Sequence, residues 1–358
     1  MEKLLYIGHA YHNKTKSTEF LQDILAQRYE VEKFDFDPCK DSFDVFKKLK
    51  GKKYDVVVIL QIMPSVKELR KYISFNRMAF FPMYDDKGNL DGELWLEYAD
   101  CNIINFSKTL HEECLKRGFS SNYIQYFPKP VKIENFGDEK SVFLWQRTNI
   151  INPFVVEKLL DTENISHFYL HNAPDPGHSL SELPESLKNK TEITTWFETR
   201  DDLLNHIQKS AVYIAPRLFE GIGMSFLEAM ALGRCVIAPN NPTMNEYIEN
   251  NKTGYLYDIN NPEQIEIKNI RKIQEDSAKY IENGYKNWEE NKLSVLEWIN
   301  KKPEPQKFKI WLNYNKKNFL KNMFSISNDY MTGEKRKVIR ILGTKTSFKV
   351  KNKKEKVC

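Results

Sequence analysis

The chain has 358 residues, of which 41% are hydrophobic, so it is long enough for two domains with cores of ordinary size. Its formal net charge is +5, and no apolar run approaches the ~20 residues of a membrane-spanning helix. The short apolar start turns polar too early for a secretory signal peptide. Five scattered cysteines without a C-x-x-C pair indicate reduced thiols, a cytoplasmic protein and no zinc site.

The first 130 residues alternate short buried runs with helical patterns. The predicted strands cover residues 3–7, 29–36, 54–60, 78–83, 101–106 and 121–127. The third of these, YDVVVIL, is almost continuously apolar and β-branched, which is typical of a parallel strand covered on both faces. Ser107 is placed to cap a helix that Gly118 ends. This alternation predicts an open, doubly wound parallel sheet as the first domain, residues 1–130.

Ligands of such sheets bind beyond the carboxyl ends of the strands. Three predicted loops with polar side chains lie there, at residues 8–14, at residues 81–86 and from Ser107 onward. The candidate site residues in these loops are His9, Tyr84 and Asp85. Residues 88–98 are expected to form an excursion over this edge of the sheet, as a lid.

Two of these candidates have simpler interpretations. His9 could equally be a histidine of a surface loop. Asp85 and Asp86 form an acidic pair that could bind a metal ion, but neither His nor Cys supports them in the sequence, so we expect no metal site.

A charged, proline-bearing stretch at residues 128–140 is the predicted boundary between two domains. Beyond it, strands are predicted at residues 141–147, 166–171, 192–196, 212–215 and 234–238, again alternating with helices. Residues 262–302 are predicted to be largely helical, with a late helix that crosses back onto the first domain. The second domain is therefore placed at residues 141–302, as another Rossmann-like sheet.

The strongest local pattern is YIAPRLFEGIGMSFLEAMALGRCVIAP, at residues 213–239. A buried strand leads into a tight turn bracketed by Gly221 and Gly223. Ser225 opens a helix that Gly233 ends, and the next strand begins at once. The unit is a βαβ crossover, which is right-handed in a parallel sheet.

The start of that helix is an anion site, because its free N–H groups and its dipole favour a phosphate, which the glycines allow to approach. Glu220 and Glu228, eight residues apart, flank it. Carboxylates accept hydrogen bonds from hydroxyl groups, so the set describes a nucleotide-sugar site with one acid for the ribose and one for the hexose. Two simpler interpretations remain: Ser225 and Glu228 also form a capping box, and Glu220 could be a solvated turn residue.

This stretch resembles the E-x7-E signature of the retaining GT-B glycosyltransferases of the family 4 type, also called glycosyl transferases group 1. The matching positions are Pro216, Glu220, Gly221, Gly223, Leu227, Glu228, Ala229, Met230, Ala231, Gly233, Val236, Ile237 and Ala238. Arg217, Ile222 and Cys235 depart from the family pattern, which has a small residue, an aromatic and a proline there. These departures bear on fine specificity more than on the fold.

The resemblance implies the GT-B fold, in which two Rossmann-like domains face each other across a cleft, and a transferase that needs neither cofactor nor metal. The donor would be a nucleotide-diphosphate sugar, and a saccharide hydroxyl would receive the sugar with retention at the anomeric carbon. Glu220 would hold the donor hexose and Glu228 the ribose. Arg147 and Arg217 would bind the diphosphate. The alternatives are an interdomain salt bridge for Arg147 and a solvated position for Arg217.

The resemblance also assigns roles to the other candidates. The catalytic set is Glu220, Asp85 and Arg147. The remaining donor contacts are Gly221, Gly223, Met224, Ser225, Phe226 and Thr243. On the acceptor side the candidates are His9, Tyr84 and Asp85. Trp196 or Phe197 could flank the nucleotide base or belong to the core.

Residues 303–358 form a basic extension, with ten Lys or Arg and one Glu between residues 335 and 356. A short hairpin is predicted about Gly343. Such a tail could attract anionic lipid headgroups, as a peripheral contact on the inner face of the cytoplasmic membrane, or it could simply be solvated. A membrane contact would suit a lipid-linked acceptor in capsule or lipopolysaccharide biosynthesis. Nucleic acid is not an expected partner, because no binding motif accompanies the charge.

Two other functions stay open on the sequence. One is a nucleotide-sugar epimerase of GT-B fold, which would need more acid–base residues in the cleft than the pattern offers. The other is a non-catalytic nucleotide-sugar-binding subunit, because the second basic residue of the family pattern is not evident near Arg147.

Overall fold

The computed structural model of the chain describes residues 1–329, 336–341 and 344–349, and it contains two six-stranded sheets followed by a three-stranded sheet. The first sheet comprises β1 (Glu2–Gly8), β2 (Tyr29–Asp35), β3 (Lys53–Leu60), β4 (Ser74–Phe81), β5 (Asn102–Asn105) and β6 (Ser121–Tyr123). The second comprises β7 (Asp138–Gln146), β8 (His167–Asn172), β9 (Thr191–Thr194), β10 (Ser210–Ile214), β11 (Cys235–Pro239) and β12 (Tyr255–Tyr257). The third comprises β13 (Phe324–Asp329), β14 (Arg336–Ile341) and β15 (Thr344–Lys349).

Helices connect the strands of both large sheets. In the first half they are α1 (Tyr11–Thr15), α2 (Glu19–Ala26), α3 (Val66–Leu69), α4 (Glu93–Leu96) and α5 (Lys108–Arg117). In the second half they are α6 (Pro153–Leu159), α7 (Glu185–Lys188), α8 (Arg200–Ile207), α9 (Met224–Ala231), α10 (Met244–Tyr247), α11 (Ile270–Asn291), α12 (Ser294–Asn300) and α13 (Lys307–Met323). Short 3-10 helices lie at Phe43–Leu49, Tyr84–Asp86 and Thr162–Asn164. Each predicted strand is present with bounds shifted by a few residues, and β12 is an additional short strand.

Both large sheets are parallel throughout and doubly wound. The strand order is β2-β1-β3-β4-β5-β6 in the first and β12-β11-β10-β7-β8-β9 in the second. Strand addition changes direction between β1 and β3, and again between β7 and β10. Each change leaves a crevice at the carboxyl ends of the strands, where such folds bind ligands. The predicted fold class is confirmed.

Alternating side chains place each large sheet between two apolar layers. Leu4 and Tyr6 of β1 belong to an inner cluster, whereas Leu5 and Ile7 belong to an outer one. The inner cluster continues into the second domain, where it includes Phe143 and other core residues around α9 and α11. The two domains are therefore joined by one buried core beneath the cleft.

The late helices cross back onto the first domain. Trp288 of α11 packs edge-on against Tyr126, with ring centroids 5.2 Å apart. Next, α12 lies against β4 and β5, and the Asn102 side chain donates to the Lys301 carbonyl at 2.5 Å. Finally, α13 begins beside the end of α5. None of the described helices has both the length and the apolar content that crossing a bilayer requires.

Two peripheral expectations have different outcomes. The expected lid, residues 88–98, is instead packed into the outer core of the first domain: Trp95 and Tyr98 are buried there, and the Trp95 indole donates to the Lys87 carbonyl at 2.9 Å. In the basic extension, β14 and β15 pair antiparallel, as the predicted hairpin requires. The turn itself, with Gly343, lies outside the described residues.

The loop that begins at Ser107 carries an interdomain contact. Glu246, on α10 of the second domain, places its carboxylate against the N-terminus of α5. It accepts from the Lys108 N–H at 2.7 Å, the Thr109 N–H at 3.0 Å and the Ser107 hydroxyl at 2.8 Å. A helix N-terminus favours such an anion through its free N–H groups and its dipole. The loop at Ser107, one of the three expected at the ligand-binding edge, thus binds a protein carboxylate.

The close approach of α11 to the first domain gives a first testable prediction. A Cβ atom at Gly284 would overlap the ring of Phe127, which Tyr247 and Tyr280 hold edge-to-face at 5.4 and 5.5 Å. Although alanine favours helices, Gly284→Ala should lower the free energy of unfolding by about 1–3 kcal/mol through this overpacking. Urea titration measures the loss. Asn283→Ala, on the exposed face of the same helix, is the control, and an equal response of both variants would contradict the packing argument.

The contact of Glu246 predicts energetic coupling across the domains. In a double-mutant cycle of Glu246→Ala and Ser107→Ala, the two losses in free energy of unfolding should be less than additive by about 1 kcal/mol, because each single change removes the same charge-assisted hydrogen bond. Glu249→Ala, at an exposed glutamate three residues on, should change stability by less than about 0.5 kcal/mol. Additive losses would show that the hydrogen bond contributes nothing to joining the domains.

Candidate active site

The candidate site lies where the carboxyl ends of the two sheets face each other. Asp85 follows β4 of the first sheet, Arg147 follows β7, and Arg217 and Glu220 follow β10. Arg217 donates from Nη1 to Asp85 Oδ2 across the cleft at 3.1 Å. The predicted residues from both domains therefore meet at one point. The interdomain salt bridge that was an alternative for Arg147 is instead made by Arg217.

Both arginines converge on Asp175, which the sequence analysis did not single out. Arg147 donates to Asp175 Oδ1 from Nη2 at 2.7 Å and from Nε at 3.0 Å. Arg217 donates from Nη2 to the other oxygen, Oδ2, at 2.5 Å. The one available signal was the position of Asp175 in a polar loop at the carboxyl end of β8, next to β7. One carboxylate thus holds two guanidinium groups side by side.

Glu220 is buried beside this ion-pair group, with 6% of its surface exposed. Its Oε1 atom has no hydrogen-bond partner among the described residues. Burial raises the pKa of the carboxyl to about 7, against the lowering effect of Arg217 and Arg147. The interpretation of Glu220 as a solvated turn residue is therefore wrong. A buried acceptor atom without a partner is rare and needs an explanation, such as a ligand that donates to it.

Asp85 shares this environment on the opposite wall of the cleft. Burial raises the pKa of its carboxyl, and Arg217 lowers it. Its Oδ1 atom would lie 2.9 Å from a Cβ at Gly221, and the Met83 side chain would be 2.8 Å away. Only a glycine lets the two walls approach so closely here. Gly221 thus sets the spacing between Asp85 and the loop that carries Glu220.

The helix after the turn begins one residue earlier than expected. Gly223 is the N-cap of α9, with φ of 84°, and a Cβ there would overlap the ring of Phe226. Ser225 is the second residue of the helix, so the capping box is wrong. The first intrahelical bond runs from Leu227 N to Gly223 O at 3.1 Å, so the N–H groups of Met224, Ser225 and Phe226 precede it. The Phe226 ring is in the core.

Glu228 and Thr243 already have protein partners. Glu228 pairs with Arg200 Nη2, from the first turn of α8. Burial raises the pKa of the Glu228 carboxyl, while Arg200 lowers it. Thr243 is fully buried, and its hydroxyl donates to the Ile222 carbonyl at 3.2 Å. The Thr243 side chain therefore supports the turn at Ile222 and does not face the cleft.

The remaining candidates lie around the rim of the cleft. The Tyr84 ring is 5.8 Å from that of Phe219 in the opposite domain. His9 is turned toward Asp37, with Nε2 and Oδ2 3.5 Å apart. Trp196 is 41% exposed, with the Lys14 ammonium 3.9 Å above its ring. The described residues contain no cluster of three or more side chains fit to hold a metal ion.

The raised pKa of Glu220 predicts how stability depends on pH. The folded state favours the protonated carboxyl, so the free energy of unfolding falls as pH rises from the ordinary value of 4.5 to about 7. Glu220→Gln removes this titration. The variant should therefore gain about 1–3 kcal/mol over the parent chain at pH 8 and little at pH 5. Glu249→Gln is the surface control in urea titrations, and an equal gain at both pH values would contradict the burial argument.

A family model agrees with this arrangement. The model described as "Glycosyl transferases group 1" matches residues 178–291, which include the loop of Glu220, α9 and Glu228. The chain also resembles the "Serotype-specific mannosyltransferase WbdA" of Escherichia coli, at 26% identity over 200 residues. That match covers 52% of this chain and 24% of the relative, so the chain spans about a quarter of its length.

Solved structures agree with the fold. Sucrose-phosphate synthase from Thermosynechococcus elongatus superposes with a TM-score of 0.56 at 13% identity, covering 83% of this chain and 98% of that one. A glycosyltransferase from Rickettsia africae ESF-5 gives a TM-score of 0.50 at 14% identity, covering 84% and 99%. At such identities the likeness concerns the fold alone. Residues 178–291 thus match the model of glycosyl transferases group 1, and the chain as a whole has the GT-B fold of two facing Rossmann-like domains.

Proposed function

We propose that this chain transfers a sugar from a nucleotide-diphosphate sugar to a hydroxyl of a saccharide acceptor, with retention at the anomeric carbon. The observation that carries the proposal is the unpartnered Oε1 atom of Glu220, buried between two arginines and the wall of the opposite domain. Leaving such an atom unpaired costs free energy, which a ligand hydroxyl recovers by donating to it. Glu220 is therefore assigned to the donor hexose.

The diphosphate of the donor is assigned to Arg147, Arg217 and the first turn of α9. Asp175 holds the two guanidinium groups side by side, and planar guanidinium forks suit phosphate oxygens. The free N–H groups of Met224, Ser225 and Phe226, at the N-terminus of α9, would also donate to the phosphate oxygens. This set would stabilise the negative charge that develops on the leaving diphosphate, which is an electrostatic contribution to catalysis.

The nucleoside is assigned to the outer part of the second domain. Glu228 would accept from the ribose hydroxyls while Arg200 balances its charge. The exposed ring of Trp196 offers a flat surface for the base. Phe197, in contrast, is half-buried, and its ring stacks on that of the buried His171 at 4.8 Å.

The acceptor is assigned to the first domain. Asp85 faces the donor site across the cleft, and Tyr84 lies beside it, so both would contact the acceptor saccharide. His9 is kept as a rim residue of this side. The product is assigned to surface polysaccharide or lipopolysaccharide, built on a lipid-linked acceptor. The partial likeness to a serotype-specific mannosyltransferase makes a mannose donor the first to test.

Two arginines argue against the non-catalytic alternative. The sequence alone left it open, because the family's second basic residue was not evident beside Arg147. Arg217 lies on the same carboxylate as Arg147 and so offers the second positive charge. An epimerase would need further acid–base groups around the sugar, whereas in the described cleft Asp175 is paired with both arginines and Asp85 with Arg217.

The test begins with thermal stability against a panel of nucleotide-diphosphate sugars, since a ligand of the native state raises the unfolding temperature by mass action. For the donor that binds, release of nucleoside diphosphate with acceptor is then measured. Glu220→Ala should keep the thermal shift of the free nucleotide and lose about 100-fold or more in turnover, because it removes sugar contacts only. Arg217→Ala should weaken nucleotide binding itself.

Controls separate the alternatives. Glu249→Ala should transfer sugar like the parent chain. The anomeric configuration of the product, read by NMR, checks retention. Binding without transfer to any acceptor would favour the non-catalytic subunit, and parental turnover of Glu220→Ala would refute the role of this residue.

A further inference from the structure

Charge is divided very unevenly along this chain. Residues 307–358 contain 15 Lys or Arg and 3 Asp or Glu, a net charge of +12. Since the whole chain carries +5, the 306 residues before them carry −7. The two Rossmann-like domains are thus acidic overall, and the cationic character is confined to α13 and the residues after it. A positive segment on an acidic body can orient the protein toward an anionic surface.

The helix α13 carries both positive charges and exposed aromatic rings. Its sequence, KFKIWLNYNKKNFLKNM, holds five lysines and no acidic residue. Phe308, Trp311 and Leu312, at helical spacings of three and four, are 73, 56 and 47% exposed. The rings of Phe308 and Trp311 stack with centroids 6.0 Å apart. We call these three residues the aromatic face of α13.

The opposite edge of the same helix is fixed to the first domain. Ile310 is buried in the outer core of that domain. The Gln306 N–H, just before the helix, donates to the Gly118 carbonyl at 2.7 Å. The aromatic face is therefore held outward by a rigid support. Exposed apolar groups that are clustered in this way usually mark an interaction site.

The small sheet beside α13 continues the positive charge. The helix lies against β13 and β14. The antiparallel register places Arg336 opposite Lys349 and Arg340 opposite Lys345, and positions paired in this way share one face of a sheet. Like charges directly opposite each other are unfavourable unless an anion lies nearby. The register thus places four basic positions where a nearby anion would offset their repulsion.

We propose that the aromatic face of α13 and the basic positions around it form a membrane-binding surface that lies on anionic lipid headgroups. A helix that combines several lysines with exposed Trp, Phe and Leu matches elements that lie in the plane of the membrane interface. Lysine and arginine supply attraction to anionic lipid, and the rings supply the apolar contact. A nucleic acid would use the charge but would leave Leu312 and the edges of both rings in water. Membrane binding does not depend on the proposed function. Its purpose does, because the surface would bring the cleft to an acceptor carried on a lipid.

The experiment uses the full chain and sedimentation with lipid vesicles. The parent chain should bind vesicles that contain about one third phosphatidylglycerol and not vesicles of phosphatidylcholine alone, and binding should weaken in high salt. The double variant Phe308→Ser/Trp311→Ser should bind at least about tenfold more weakly. The matched control Phe154→Ser/Leu293→Ser, at two exposed apolar residues elsewhere, should bind like the parent chain. Equal unfolding temperatures of the two variants show that both fold.

A second measurement tests whether the Trp311 ring enters the lipid. Brominated lipids should quench part of the tryptophan fluorescence, and Trp311→Phe should remove that part. Failure of the parent chain to bind anionic vesicles would overturn the proposal, as would equal binding by the double variant. A solution dimer that Trp311→Ser dissolves, or preference for an oligonucleotide over vesicles, would assign the surface to another partner.

The outcome is separable from that of the proposed function. Sugar transfer to a soluble acceptor should be unchanged in Phe308→Ser/Trp311→Ser, because α13 lies outside the cleft. A chain that binds vesicles and transfers no sugar would refute the proposed function while leaving the membrane surface intact. A chain that transfers sugar and does not bind vesicles would refute the membrane surface while leaving the proposed function intact.

Discussion

The shared ion pair at Asp175 is the constraint on which the centre of this protein depends. One carboxylate holds Arg147 and Arg217 side by side, and Arg217 also reaches Asp85 in the other domain. Without these pairs, two partly buried cations would be left unpaired in the cleft, which costs free energy of desolvation. The same contacts therefore stabilise the free protein, keep both guanidinium groups in place and set how closely the domains approach.

This arrangement also explains why Glu220 is shifted toward its protonated form. Three acidic groups and two basic ones share this region, and burial raises the pKa of the Glu220 carboxyl, whose Oε1 atom has no partner among the described residues, more than the two arginines lower it. A polar group that costs stability in the free protein is often kept because it serves a ligand. Here the residue that costs stability is Glu220, which the proposed mechanism assigns to the sugar. The same buried carboxyl therefore affects both the stability of the fold and the chemistry of the site.

The contacts between the domains extend well beyond the cleft. Beneath it, the inner faces of both sheets share one apolar cluster that includes Trp288 of α11. At its edge, Glu246 binds the N-terminus of α5, and the neighbouring Thr243 supports the turn that holds Ile222. The loop of the candidate site is thus held by Asp85 of the first domain through Arg217 and by Thr243 of its own domain. Such bracing holds reacting groups at the spacing that catalysis requires.

The sequence by itself determined the two parallel sheets, because periodic burial and turn residues are local properties of the chain. It also determined the loop of Glu220 and the presence of α9 after it, since glycines, acids and helix spacing there lie within one short motif. Only the tertiary structure decided which charges meet. Asp175 is far along the chain from Arg217, so no local pattern pairs them. The N-cap of α9 is Gly223 and not Ser225, and the Phe226 ring fills the space that a side chain at position 223 would need. Residues 88–98 looked like a lid from their composition, but two aromatic rings anchor them in the core, and such packing has no signature in local sequence.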